Sequence, residues 1–277
     1  LRDFAYGNRI FNTTWVTAPA STADFDGLGP LFNRASCTGC HVRDGRGRPP
    51  EVVGGRLDSA LVRVSGADGE PHPLLGSQLQ DKAILGAEPE ARVEVVYADH
   101  VVAYADGTQK RMRRPHVRIQ TLKNTALTGL KISFRVAPPV HGLGLLEAVS
   151  EADILAWADP EDGDGDGISG RANRAVERRV GRAAIGRFGW KAGQPSLRQQ
   201  AAGAFAGDIG ITSSLFPQDE RTPAQRKASR AVNGGEPELR DQDLDRLEFY
   251  LRALAVPEQR DATDPEVRRG QGLFRAL

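Results

Sequence analysis

The chain has 277 residues, a length that suits one large domain or two small ones. Its 39% hydrophobic and 26% charged residues supply enough apolar mass for a core. A balance of 37 Lys and Arg against 36 Asp and Glu disfavours a general nucleic-acid binder, and no run approaches the ~18 apolar residues of a membrane span. The 31 glycines and 17 prolines predict long ordered loops between short elements.

In chain order, residues 1–50 read as loops and short helices. Residues 29–36 read as a short helix or loop, not a strand. From 51 to about 136 the pattern turns β-rich. Leu61-Val62-Arg63-Val64 and Val93-Glu94-Val95-Val96-Tyr97 alternate and are β-branched, which predicts strands. Val101 to Tyr104, Asp106-Gly107, and Thr108 to Arg114 predict a hairpin, because Asp-Gly supplies the positive φ such turns need. Lys131 to Val136 predicts another strand, ended by Pro138-Pro139. Helices are expected to dominate afterwards. Ser150-Glu151-Ala152-Asp153 opens one through Trp157 as a capping box. A second runs from Ser196 to Phe205, introduced by Pro195. Leu244, Leu247, Leu251 and Leu254 form one helical stripe, with Asp241 and Asp243 favouring its start and Pro257 stopping it. Asp264-Pro265 is a good start for a last helix.

The two cysteines of the chain both fall in Cys37-Thr38-Gly39-Cys40-His41. This is the C-x-x-C-H pattern of covalent c-type haem attachment. Three residues of tight backbone place both thiols to form thioethers with the haem vinyls. The next residue, His41, then faces the iron as its proximal imidazole ligand. Other readings fit less well. A thioredoxin-like dithiol needs a strand before it and a helix after it. A structural zinc site needs about four ligands, and there is no second cysteine pair. A plain disulfide leaves His41 without a purpose.

The segment Phe32 to Pro50 resembles the haem segment of the di-haem oxidoreductase family, distant relatives of bacterial di-haem cytochrome c peroxidases. Pro138-Pro139-Val140-His141-Gly142-Leu143-Gly144-Leu145-Leu146-Glu147-Ala148 resembles it too. So do Asp164 to Arg171, Gly186 to Lys191, and Gln194 to Gln200. The resemblance implies two c-type haems, an exported, periplasmic protein, and redox chemistry. The fold it implies is mainly α: a cytochrome c-like helical haem domain with a small inserted antiparallel β region and long loops. On this reading residues 1–256 are the first haem domain and 257–277 a linker and the first helix of a second. The sequence carries a single C-x-x-C-H, however. Gly272-Leu273-Phe274-Arg275-Ala276 repeats the lead Gly29-Pro30-Leu31-Phe32-Asn33-Arg34-Ala35 loosely, so a second motif is expected shortly past Leu277. No leader is visible before Leu1, and removal or truncation is expected.

The remaining candidates are less specific. Asp162, Asp164 and Asp166 alternate with glycines, like positions 1, 3 and 5 of an EF-hand loop, and three close carboxylates invite Ca²⁺. Position 12 is Asn173 rather than a bidentate Glu. His141, after rigid Pro138-Pro139 and before Gly142, is the best candidate for the distal side of the haem. Met112, His72, His100 and His116 rank below it. Glu147, six residues on, is a candidate acid–base group for peroxide cleavage. Arg43, Arg46 and Arg48 are placed to clamp a haem propionate, although 31 arginines make a nearby one unremarkable evidence. The function expected is peroxide reduction with electrons from a small redox protein. The alternatives are a non-catalytic electron-transfer cytochrome and a haem-dependent oxidoreductase of thiols or other organic substrates.

Overall fold

The computed structural model describes residues 1–52, 54–55, 57–121, 127–228 and 232–276. Its elements in order are α1 (Arg2–Asn12), β1 (Leu31–Phe32), β2 (Ala60–Ser65), β3 (Gln78–Leu79), β4 (Lys82–Ala83), β5 (Ala91–Ala103) and β6 (Gln109–Thr121). Then come β7 (Lys131–Val136), α2 (Leu143–Ala148), α3 (Glu151–Ala156), β8 (Arg174–Glu177), β9 (Arg182–Ile185) and α4 (Leu197–Ala204). The last helices are α5 (Pro223–Ala228), α6 (Asp241–Ala253) and α7 (Pro265–Ala276).

The expectation of a mainly α, cytochrome-like fold is corrected. Helix makes up 26% and strand 23%, in several antiparallel sheets. Two causes are visible. The β5–β6 hairpin runs for 13 residues on each side, far beyond its predicted strands. The helical half also contains a second hairpin, β8–β9, around Gly181 with φ 66°. α2 and α3 are also short, at six residues each.

Two apolar clusters organise the chain. The first gathers α1, α4 and α6 around Ile10, Phe11, Trp15, Phe205, Leu244, Leu247, Tyr250 and Leu251. The leucine stripe of α6 is buried as expected at Leu244, Leu247 and Leu251. α1 lies across α6 through Gly7: a Cβ there would stand 2.2 Å from the Arg246 carbonyl and 2.6 Å from Tyr250 Cβ, so only glycine admits this crossing. The second cluster lies between the sheet β3-β2-β7 and the base of the hairpin, with Leu57, Val62, Val64, Leu79 and Val95. Beyond Tyr97 the hairpin leaves this cluster and is exposed through residue 116.

The local signals held where they were local. Gly107 has φ 83° and Asp106 Oδ1 accepts from the Thr108 amide at 2.8 Å, closing the predicted hairpin turn. Ser150 accepts from the Asp153 amide at the start of α3. Ser196 likewise caps α4. Asp264 Oδ1 accepts from the Glu266 amide at 2.7 Å ahead of α7. One reading needs amending: Leu31–Phe32 is a short strand paired with Lys82–Ala83, not helix or loop.

Candidate functional site

Cys37 to His41 forms a tight helical turn. The amides of Cys40 and His41 both donate to the Cys37 carbonyl, at 3.1 and 2.9 Å. Both thiols are free and half-buried, and Cys37 packs against the first apolar cluster. Burial, reinforced by the negative Asp208 nearby, pushes both thiols up to about 12. They therefore stay neutral at physiological pH. That state suits neither thiol exchange nor a thiolate metal site, whereas a thioether sulfur carries no charge and tolerates an apolar wall. The turn is followed by a single 3₁₀ turn, Val42–Asp44, rather than a helix. The surroundings of a thioredoxin-like dithiol are thus missing on the C-terminal side.

His41 is held from one side. Its Nδ1 lies 2.7 Å from the Pro138 carbonyl. A carbonyl can only accept, so Nδ1 carries the proton and Nε2 keeps a free lone pair. Burial lowers the ring's pKa, and the Pro138 bond only partly opposes this. The imidazole is therefore neutral, the form that ligates a metal. Two more bonds fasten the segment that carries Pro138: Gly47 N to Ala137 O at 2.9 Å and Val140 N to Asp44 O at 3.0 Å. Phe11 stands against the ring, with centroids 6.2 Å apart.

The floor under the cysteine turn is polar. α4 passes into a π-helical turn, Phe205–Ile209, ended by Gly210 at φ 75°. Gly210 and Gly29 meet backbone to backbone; a Cβ on Gly29 would stand 2.4 Å from the Gly210 carbonyl. That approach lets the Asp208 carbonyl accept from the amides of Asn33 and Arg34, at 2.8 and 3.0 Å. Gln78 Nε2 donates to Asp208 Oδ1 and Asn33 Oδ1, each at 2.7 Å. None of these polar residues was singled out from the sequence. The signal was non-local, because the positions lie more than forty residues apart.

The other predicted residues are spread around this centre. His141 is half-buried on the turn into α2, three residues past Pro138 and so on the chain segment that supports His41. Glu147 does not stand free: Oε1 accepts from the Leu197 amide at 2.8 Å, and Oε2 accepts from Arg252 at 2.7 Å. Asp162 and Asp164 do come together, but with Asp159 rather than Asp166; one oxygen from each of the three lies within 4.8 Å of the others. Asp166 Oδ1 turns instead to the Ile168 amide at 2.7 Å. Asp159 could have been found from its place at the start of the acidic run. His72 is buried and accepts from Leu74 N at 3.3 Å. Met112 and His100 face each other across the exposed hairpin. Arg46 stacks over Trp190 at 5.9 Å.

The donor set fits a c-type haem: two uncharged thiols on one turn and a neutral, oriented imidazole beside them. Trp15 adds a buried indole N–H that finds no acceptor among the described residues. Its backbone is tied to Ala35, two residues before Cys37, and a haem propionate is an acceptor of the kind it lacks.

A family model described as "di-haem oxidoreductase, putative peroxidase" matches residues 2–67 and 74–277. The chain belongs to that family. No curated protein and no solved structure matches it. Among the described residues, no helix is long and apolar enough to cross a membrane.

Proposed function

We propose that this member of the di-haem oxidoreductase family is an exported c-type haem enzyme that reduces hydrogen peroxide, using electrons that a small redox protein delivers and two haems pass on. The observation that carries this reading is the C-x-x-C-H turn whose histidine is oriented by the Pro138 carbonyl. Cys37 and Cys40 would hold the group through thioethers, and His41 Nε2 would ligate its iron. A haem bound there would supply an iron that exchanges single electrons and activates peroxide for reduction.

The chain's own residues do the positioning. Pro138 fixes the imidazole plane, and Phe11 with the α1–α6 pair excludes water from one side. The overall reaction, H₂O₂ + 2e⁻ + 2H⁺ → 2H₂O, needs protons as well as electrons. Glu147 does not stand free for that task, because its two oxygens accept from the Leu197 amide and from Arg252. His141 stays in the reading as a residue near the haem. Export follows from the chemistry of c-type attachment, which proceeds outside the cytoplasmic membrane. Calcium belongs to the proposal at Asp159, Asp162 and Asp164. Calorimetry of chelator-treated protein should show heat on adding Ca²⁺, and a flat titration removes the ion from the reading.

The main test uses protein matured in a host competent for c-type cytochromes. Mass spectrometry should find haem on the peptide spanning 37–41, and Cys37→Ala/Cys40→Ala should abolish it. His41→Ala should leave haem tethered with an altered spectrum. A peptide without added haem mass overturns the proposal. A haem that is low-spin throughout and inert to peroxide would instead make the protein an electron carrier.

A further inference from the structure

Asp208 stands out among the groups the reaction has not used. It is a buried carboxyl group beside the cysteine turn, on a π-helical turn, a deviation that recurs at functional sites. The turn is pressed against the chain leading into Cys37 by the Gly29–Gly210 contact. Its Oδ1 is held by Gln78, and behind Gln78 a run of hydrogen bonds leads outward. Arg63 Nη1 donates to Gln78 Oε1 at 2.9 Å, and Arg63 Nη2 to Ser77 Oγ at 3.0 Å. Ser77 Oγ then donates to Glu220 Oε2 at 2.7 Å.

We propose that Asp208 takes up one proton from solvent when the iron held at His41 accepts one electron, so that charge entering this site is balanced inside the protein. The inference rests on the haem assignment above. The step balances: the donor protein loses one electron, the iron goes from +3 to +2, and the carboxylate becomes a carboxylic acid. Its physical basis is charge. A ferric haem with a neutral imidazole carries one net positive charge, which reduction removes, and a nearby carboxylate then loses a favourable partner.

The groups facing Asp208 set the balance. The cysteine loop presents Arg34, Cys37 and Cys40; β2 presents Arg63; β3 presents the neutral Gln78; and Glu220 approaches from the segment before α5. Arg34 is itself shared with Asp81, 3.5 Å away, and Lys82 bears on Cys40. The turn Phe205–Ile209 brings no second titratable group. Burial holds the Asp208 carboxyl above the ordinary range; Gln78, Arg63 and Arg34 oppose this, and Glu220 adds to it. Burial and Glu220 favour the neutral acid while Gln78, Arg63 and Arg34 favour the carboxylate, so losing one positive neighbour favours uptake of a proton.

The test is a redox titration of the haem-loaded full chain from pH 5 to 9, with haem at Cys37 and Cys40 first verified by mass. Over part of that range one midpoint should fall by about 59 mV per tenfold drop in proton concentration, one proton per electron. Asp208→Asn, which keeps a partner for Gln78, should flatten that segment, while Asp208→Glu should restore it. Equal slopes in the native protein and Asp208→Asn overturn the proposal and leave the haem assignment standing. Absence of haem overturns both. Should Asp208→Asn fail to mature, reduced-minus-oxidised infrared spectra of the native protein decide. A protonated carboxyl band that moves with ¹³C-aspartate labelling is expected, and a spectrum without one rules Asp208 out.

Discussion

Glu90 shows how a single carboxyl can set the pH response of the β-rich half. Its two oxygens accept from the Gln80 amide and from Gln225 Nε2, yet burial outweighs both and pushes it up to about 7. An unfolded glutamate titrates near 4.5. Between those values the unfolded chain is ionised while the folded one still holds its proton. Stability is therefore full below about 4.5 and falls as pH rises through 7. Glu90→Gln should remove that fall, by on the order of 1–3 kcal/mol across the window; melting curves at pH 4.5 to 8 that keep the same slope would refute it. Glu147 makes the opposite kind of contribution. It ties the first residue of α4 and Arg252 of α6 to α2. Glu147→Ala takes the acceptor from the Leu197 amide and one of two carboxylates from Arg252, which keeps Glu248, and should cost about 1–2 kcal/mol in chemical denaturation. Were Glu147→Gln instead to spare stability and reshape the pH profile of peroxide turnover, a proton-carrying role would be the better account.

At the scale of elements, the α1–α6 crossing is the joint on which the site depends. Tyr250 of α6 receives the Asn8 amide and donates to Asp44 Oδ1 at 2.8 Å. Phe11 of α1 touches both Tyr250 and His41. Gly7→Ala drives a methyl into the Arg246 carbonyl and should cost about 1–3 kcal/mol. It should also disturb the His41 environment, read as a change in the haem spectrum, because Phe11 moves with α1. An unchanged melting temperature would show that the helices have room to part. This joint was half legible in sequence. The α6 stripe, the caps at Ser150 and Ser196, the strand Lys131 to Val136 and the Asp106-Gly107 turn all rest on neighbours within a few residues, and each could be read. What could not be read depends on distant partners. Pairing of β1 with β4 joins two residues to two others fifty positions away. The Pro138 carbonyl reaches His41 across 97 positions. Even Asp159 replaces Asp166 in the acidic group only because the loop folds back on itself. The chemistry of the centre was written in five consecutive residues; its supports were not.

On the scale of the whole molecule, the two apolar clusters are bridged by hydrogen bonds. Asn33 Nδ2 donates to the Leu79 carbonyl at 2.9 Å, while Gln78 and Gln80 both reach the Gly207 carbonyl, at 3.0 and 2.8 Å. The sheet and hairpin base thus back the polar floor of the cysteine turn, which gives the β region a place in the site that an inserted module would not need. The outer half of the hairpin has no such place. From residue 98 to 116 every side chain is exposed, and a two-stranded ribbon in water has little stability of its own. Arg113 ties it back, stacking on Tyr97 at 4.7 Å and donating to the Glu51 carbonyl at 3.2 Å. Pro115, opposite Tyr97, has no N–H with which to close a turn, but Ala98 and Arg114 are register partners one step out, so residues 99–113 can be replaced by a two-residue Asn-Gly turn without disturbing the pairing below. The Arg113 stacking and its bond to the Glu51 carbonyl are then lost, about 1–2 kcal/mol together. Thermal unfolding should shift by no more than a few degrees, and covalent haem should be acquired as in the parent chain. A collapse in stability or in haem attachment would mean that the arm supports the second cluster from outside, and that the boundary of the folded body lies beyond Tyr97.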